Sequence, residues 1–91
     1  MEPITFDDLA DYLRHGREIE FGYLGRLYSI TNRSGFWYLC DDTAHICLDA
    51  ICRFEDRETL VTRIAAFLLE DMTIAEIFDG QHVDEKALCI L

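Results

Sequence analysis

Between Arg17 and Phe54 the chain alternates apolar and polar residues with a period of two. Glu18-Ile19-Glu20-Phe21-Gly22-Tyr23 and Arg26-Leu27-Tyr28-Ser29-Ile30-Thr31 are two such runs, separated by Leu24-Gly25. Alternation of this kind marks strands with one buried face. A two-residue turn at Leu24-Gly25 sets Tyr23 opposite Arg26, Phe21 opposite Tyr28 and Ile19 opposite Ile30. Ile19, Phe21, Tyr23, Tyr28 and Ile30 then share one side, and a slip of one residue would scatter them. The turn cluster Asn32-Arg33-Ser34-Gly35 returns the chain into Phe36-Trp37-Tyr38-Leu39-Cys40. Read as a four-residue loop, it puts Ile30 opposite Trp37 and Tyr28 opposite Leu39. Asp41-Asp42-Thr43-Ala44 is a second turn. After it, Ile46, Leu48, Ala50, Cys52 and Phe54 alternate with His45, Cys47, Asp49, Ile51 and Arg53, predicting a fourth strand or two short ones with a bulge near Asp49-Ala50.

Before and after this meander the period changes to that of a helix. Phe6, Leu9, Ala10 and Leu13 form one apolar stripe. Thr5 with Asp8 makes a capping box, and Ile4 with Leu9 a hydrophobic staple. Arg14 and His15 suit the negative end of the dipole, and Gly16 the left-handed C-cap, so a helix is expected from Phe6 to about His15. A second helix should begin after Asp56, with Leu60, Ile64, Phe67 and Leu68 as its stripe. A short third one is capped by Thr73 and Glu76, carries Ile74, Ile77 and Phe78 inward, and ends at Gly80. Ala87-Leu88-Cys89-Ile90-Leu91 is apolar enough to dock, as an edge strand or across the sheet.

The pattern predicts a single α+β domain over residues 1–91: an N-terminal helix, an antiparallel meander of three to four strands, and two C-terminal helices packed on one sheet face. Trp37 and its aromatic neighbours should lie beneath the helices. The opposite face then carries Glu18, Glu20, Gly22, Leu27, Ser29, Thr31, Phe36, Tyr38, Cys40, His45 and Cys47. Leu27, Phe36 and Tyr38 are more apolar than a free solvent face requires, which makes them candidate contacts for a partner or a second copy.

Charge narrows the partner. Eighteen carboxylates against eight Lys or Arg give a formal net charge of −10. The excess is concentrated after Cys40, where twelve acids stand against four bases. Direct binding to nucleic acid, which needs cationic side chains on phosphates, is disfavoured, and so is docking on an anionic membrane. A basic protein partner is favoured. Glu70, Asp71, Glu76 and Asp79 belong to a row of carboxylates that would serve such a contact or imitate phosphates. No apolar run approaches a membrane span and no basic-then-apolar leader opens the chain, so a cytoplasmic location is expected, with Cys40, Cys47, Cys52 and Cys89 as free thiols.

The remaining chemistry is sparse. Cys40, His45 and Cys47 are candidate zinc ligands, but C-x4-H-x-C-x4-C matches no known finger or knuckle spacing, and the alternation sends Cys52 to the other side of the sheet. No nucleophile elbow, phosphate-binding glycine loop or calcium-loop pattern is present, and no cofactor is implied. The aromatic residues lack the surrounding cations of a base-stacking platform. A non-enzymatic protein-binding module is the expected class, with a metal-binding module or a homo-oligomeric structural domain as alternatives.

Glu18-Ile19-Glu20-Phe21-x-Tyr23-x-Gly25-x-x-Tyr28-Ser29-Ile30, then Trp37-Tyr38, then Phe54 leading into Leu60, then Met72-Thr73-Ile74-Ala75-Glu76-Ile77, resembles a group of small uncharacterised proteins of Gram-positive bacteria and their phages. The group's commoner Asn-Gly turn is Leu24-Gly25 here. The resemblance implies the hairpin-and-helix fold and brings no activity and no site residues. The acidic charge, the size and the element order are also similar to those of some phage anti-CRISPR proteins, which occupy the DNA-contacting groove of a nuclease. That analogy implies an inhibitor or regulator of a nucleic-acid-handling enzyme.

Overall fold

The computed structural model describes residues 3–91. Its elements, in chain order, are α1 (Phe6–Arg14), β1 (Ile19–Tyr23), β2 (Arg26–Arg33), β3 (Phe36–Asp41), β4 (Ile46–Arg53), α2 (Arg57–Ala66), β5 (Leu68–Leu69), β6 (Met72–Thr73), α3 (Ile74–Asp79) and β7 (Asp84–Ile90). Strands β4-β3-β2-β1-β7, in that spatial order, make one five-stranded antiparallel sheet, and β5-β6 make a small separate hairpin. The α+β class stands, with five strands in the main sheet where three to four were expected. The fifth is β7, which pairs with β1 at Ile19↔Ile90 and Glu20↔Cys89. The C-terminal apolar run therefore extends the sheet at its edge and does not fold across the open face.

The first hairpin has the register that its alternation dictates: Ile19↔Ile30, Phe21↔Tyr28 and Tyr23↔Arg26. Its turn residues Leu24 and Gly25 both lie at positive φ, 51° and 77°. That is the pair of left-handed conformations whose twist matches that of the flanking strands.

The second hairpin differs from expectation. Its turn is only Ser34-Gly35, again with both φ positive, and Asn32 and Arg33 belong to β2. Ile30 consequently faces Leu39, Asn32 faces Trp37 and Tyr28 faces Asp41. The shift from the four-residue reading is even-numbered, so every side chain keeps the face assigned to it.

Pairing of β3 with β4 slips by one residue twice, between Trp37 and Tyr38 and between Leu39 and Cys40. The extra residues are Ile51 and Leu48, so the irregularity expected near Asp49-Ala50 is a pair of bulges around it. They break the simple alternation of β4: Ile51 and Cys52 are both buried, whereas Ala50 is exposed opposite Tyr38.

All three helices pack on one face of the sheet. Trp37, Phe21, Phe78, Leu9, Leu13, Ile19, Ile30, Leu39, Leu60, Ile64, Ile74 and Ile77 are fully buried there. Trp37 stacks on Phe54 with ring centroids 5.6 Å apart and donates its indole N–H to the Phe54 carbonyl at 3.1 Å. Phe21 meets Tyr28 at 5.5 Å and the edge of Phe78 at 5.2 Å. Burial of such side chains contributes roughly 1.5–3 kcal/mol each.

Both expected capping boxes form, Thr5 with Asp8 and Thr73 with Glu76. Helix α2 stops at Ala66, earlier than its apolar stripe suggested. Phe67 turns extended, and the β5-β6 hairpin points Leu69 inward while leaving Leu68 60% exposed. Ile74 then donates its N–H back to the Phe67 carbonyl at 2.9 Å, which starts α3 directly after the hairpin.

Candidate functional site

With the helices on one side, the other face of the sheet is left without a covering element among the described residues. Its residues form rows that run across the strands, read from the register. One row is Arg33-Phe36-Arg53, a second Glu18-Thr31-Tyr38-Ala50, and a third Cys89-Glu20-Ser29-Cys40-Cys47. Leu27 lies at the β1-β2 end, opposite Gly22, and is 49% exposed. Phe36 and Tyr38 are half-buried and lean on each other with centroids 5.8 Å apart. Thr31, Arg33, Tyr38, Cys40, Asp42, His45, Ile46 and Cys47 line a shallow depression of about 440 Å³.

Polar groups within this face are tied down. The Glu18 carboxylate accepts from the Thr31 hydroxyl and, at 2.9 Å, from the Asn32 N–H. Ser29 donates to Asp42 Oδ1 at 3.1 Å, and Thr43 Oγ1 accepts the Leu27 N–H at 2.8 Å. On the reverse side Asp41 is buried. It accepts from Arg26 Nε and from the Ala44 N–H, both at 3.0 Å. The Ala44 amide, with Arg26 behind it, holds the Asp41 carboxyl below the usual carboxylate range.

The expected metal ligands Cys40, His45 and Cys47 do line the same depression. Even so, no group of three His, Cys, Asp or Glu side chains among the described residues stands close enough to hold one ion. A tetrahedral zinc site needs four converging donors. Cys52 is buried on the helix side, with its thiol directed at the Asp56 carbonyl at 3.5 Å. All four cysteines are free thiols. The Cys40 thiol is pushed above its usual value by burial and then by the negative charge of Cys47 and Asp42.

The acidic contact candidates separate into two kinds. Glu70 and Asp71 occupy the exposed turn between β5 and β6. Glu76 and Asp79 hold the fold together: Glu76 Oε1 accepts from the Thr73 N–H and hydroxyl at 2.9 Å, and Asp79 Oδ1 accepts the Phe6 N–H at 2.8 Å, capping α1 from α3. The Thr73 amide holds the Glu76 carboxyl below its usual range. Glu58 is likewise engaged, with Arg14 at 2.9 Å.

Two cations on the open face were not singled out by sequence reasoning. Arg33 and Arg53 flank Phe36, and neither pairs with a carboxylate among the described residues. Arg14, Arg26 and Arg63 each pair with an acid, while Arg17 and Arg57 bond to backbone carbonyls. Recognising Ser34-Gly35 as the whole turn would have set Arg33 beside Phe36. A second concavity, about 210 Å³, lies between the N-terminal segment, α3 and β7, and is lined by Ile4, Phe78, Val83 and Leu88. No helix among the described residues is long and apolar enough to cross a membrane.

No protein-family model matches the chain, and no curated protein or solved structure matches it either. A functional reading therefore rests on the geometry of the molecule itself.

Proposed function

We propose that the protein is a small non-enzymatic binding module that docks a basic protein partner on the open face of its sheet. The observation that carries this reading is the uncovered aromatic pair Phe36 and Tyr38, with Leu27 exposed at the far end of the same face, on a side of the sheet that no helix among the described residues covers. Such a patch gives a contact its desolvated centre. The net charge of −10 steers a cationic surface toward it. Glu20 and Asp42 supply the acidic part of the rim and Arg33 and Arg53 a basic part beside Phe36. Glu70 and Asp71, by contrast, lie on the β5-β6 turn at the helix side, where Glu70 borders Tyr28 and Asp41, and Glu76, Asp79 and Glu58 are committed within the fold.

The phosphate-binding groove of a nucleic-acid-handling enzyme is a basic surface of this kind, and inhibition or regulation of such an enzyme is the sharper form of the proposal. Binding then depends on apolar contact from the open sheet face, with the carboxylates acting mainly on the rate of encounter.

The test is affinity capture by the wild-type chain and by the Leu27→Asp/Tyr38→Asp variant at low and high salt, with light scattering on both. The proposal predicts a captured protein of high isoelectric point whose binding weakens with salt and is lost in the variant, while the variant melts within a few degrees of wild type. Capture that ignores both salt and the variant would contradict it. A wild-type dimer that the variant dissolves would replace the basic partner with a second copy of the chain.

A further inference from the structure

We propose that Cys40 and Cys47 are a modification site: a cross-strand dithiol that closes to a reversible disulfide by exchange with a low-molecular-weight disulfide of the glutathione type. The two are direct partners in the β3-β4 pairing and both face the open side of the sheet. Opposite residues of an antiparallel pair stand about 4.5–5.5 Å apart at Cα, inside the roughly 4.4–6.8 Å that a disulfide spans. The register alone sets the two residues opposite each other on neighbouring strands, so the bridge requires no rearrangement of the pairing.

The placement depends on one bulge. Pairing at Leu39↔Asp49 would continue to Cys40↔Leu48, yet the extra residue at Leu48 brings Cys47 opposite Cys40 instead. Leu48 is left packing against the core, so the same bulge serves burial and brings the thiols together. The other two cysteines lie out of reach. Cys52 is buried on the helix side. Cys89 shares the row but sits on β7, three strands from Cys40, roughly 14 Å away at the ordinary interstrand spacing.

Exposure orders the steps. Cys47 is exposed and Cys40 half-buried, so Cys47 is the entry thiol. Its thiolate attacks one sulfur of the small disulfide and expels the other as a thiolate, leaving a mixed disulfide on Cys47. The Cys40 thiolate then attacks the Cys47 sulfur and releases the second small thiol. Two protein thiols are oxidised, one small disulfide is reduced to two thiols, and the two protein protons pass to the departing thiolates. A small thiol in excess runs the sequence backward.

The experiment equilibrates the full chain in glutathione buffers of graded oxidation, quenches with an alkylating reagent and reads intact mass and peptide maps. The proposal predicts loss of two hydrogens with Cys40 and Cys47 together protected from alkylation, and Cys52 and Cys89 outside the bridge. The bridged form should exceed mixed adducts by roughly tenfold or more, because the second thiol is held in place. Cys40→Ser should convert the product to a stable adduct on Cys47, and Cys47→Ser should abolish the bridge, with far-ultraviolet circular dichroism confirming that both variants fold. Accumulation of wild-type adducts with Cys40 still alkylatable, a bridge through Cys89 or between two chains, or an undiminished bridge in Cys47→Ser would overturn the assignment.

Discussion

Trp37 and Tyr38 are neighbours in sequence and lie on opposite sides of the sheet. Trp37 is fully buried against Phe54 beneath the helices, and Tyr38 stands half-exposed on the open face beside Phe36. The covered face is apolar, interlocked and closed by two capping boxes and a cap from Asp79 to α1. The open face mixes aromatic rings, thiols and carboxylates with Arg33 and Arg53, neither of which pairs with a carboxylate among the described residues. The difference separates two tasks. One side of the strands supplies stability, and the other is free to vary its chemistry because little of the fold depends on it.

That division predicts a steep contrast between adjacent positions. Trp37→Ala should cost about 3–5 kcal/mol, enough to unfold much of the population of a domain this size. Tyr38→Ala should cost under about 1 kcal/mol. Urea denaturation of the two variants measures the contrast, and equal losses would erase it.

The seam between β1 and β7 offers a sharper probe. A Cβ added at Gly22 would stand 2.8 Å from the Ala87 Cβ, on a strand edge with no flexible side chain to yield. Gly22→Ala should therefore destabilise by about 1–3 kcal/mol, and hydrogen exchange should show β7 losing protection before β2 and β3 do.

The first hairpin turn carries a smaller defect. Leu24 is 67% exposed and holds φ at 51°, a conformation unfavourable for a branched apolar side chain. Leu24→Asn should raise stability by roughly 0.5–1 kcal/mol, read as a higher melting temperature with unchanged spectra.

The smallest effect is set by acid. Asp41, Glu58 and Glu76 titrate below the usual carboxylate range, Asp41 and Glu76 because backbone amides donate to them and Glu58 because Arg14 does. The stability they contribute is complete above an unfolded value of about 4 and drains away as pH falls through their lower folded values. Melting temperature should be level at neutral pH and fall below about pH 4, and Asp41→Asn should flatten part of that fall.

Legibility followed sequence distance. The register of the first hairpin, the two capping boxes and the burial of Trp37 were all readable, because alternation, turn residues and caps are settled within a few positions. The second turn was missed although it is local: Asn32 and Arg33 read as loop residues, yet they pair with Trp37 and Phe36 and carry the strand to Arg33. Features set by distant partners were not readable. Phe67 and Leu68 fit the helical stripe, but the core beneath is already filled by Ile64 and Ile74, and the chain turns into a hairpin there. The place of β7 beside β1 depends on Gly22 leaving room for Ala87, a contact that local pattern does not reveal. Of the candidate site, the open-face residues were assigned to the right side. Glu76 was readable as the capping partner of Thr73, but only the folded packing shows Asp79 capping Phe6. The cross-strand meeting of Cys40 with Cys47 rests on a bulge that no spacing announces.

Hydroxyl-radical footprinting of Phe36, Trp37 and Tyr38, read by mass spectrometry on the native chain, tests the two-sided sheet most directly. Phe36 and Tyr38 should be oxidised readily and Trp37 spared until the protein unfolds, despite the greater intrinsic reactivity of indole. Oxidation of native Trp37 as fast as that of Tyr38 would contradict a sealed face and an open one.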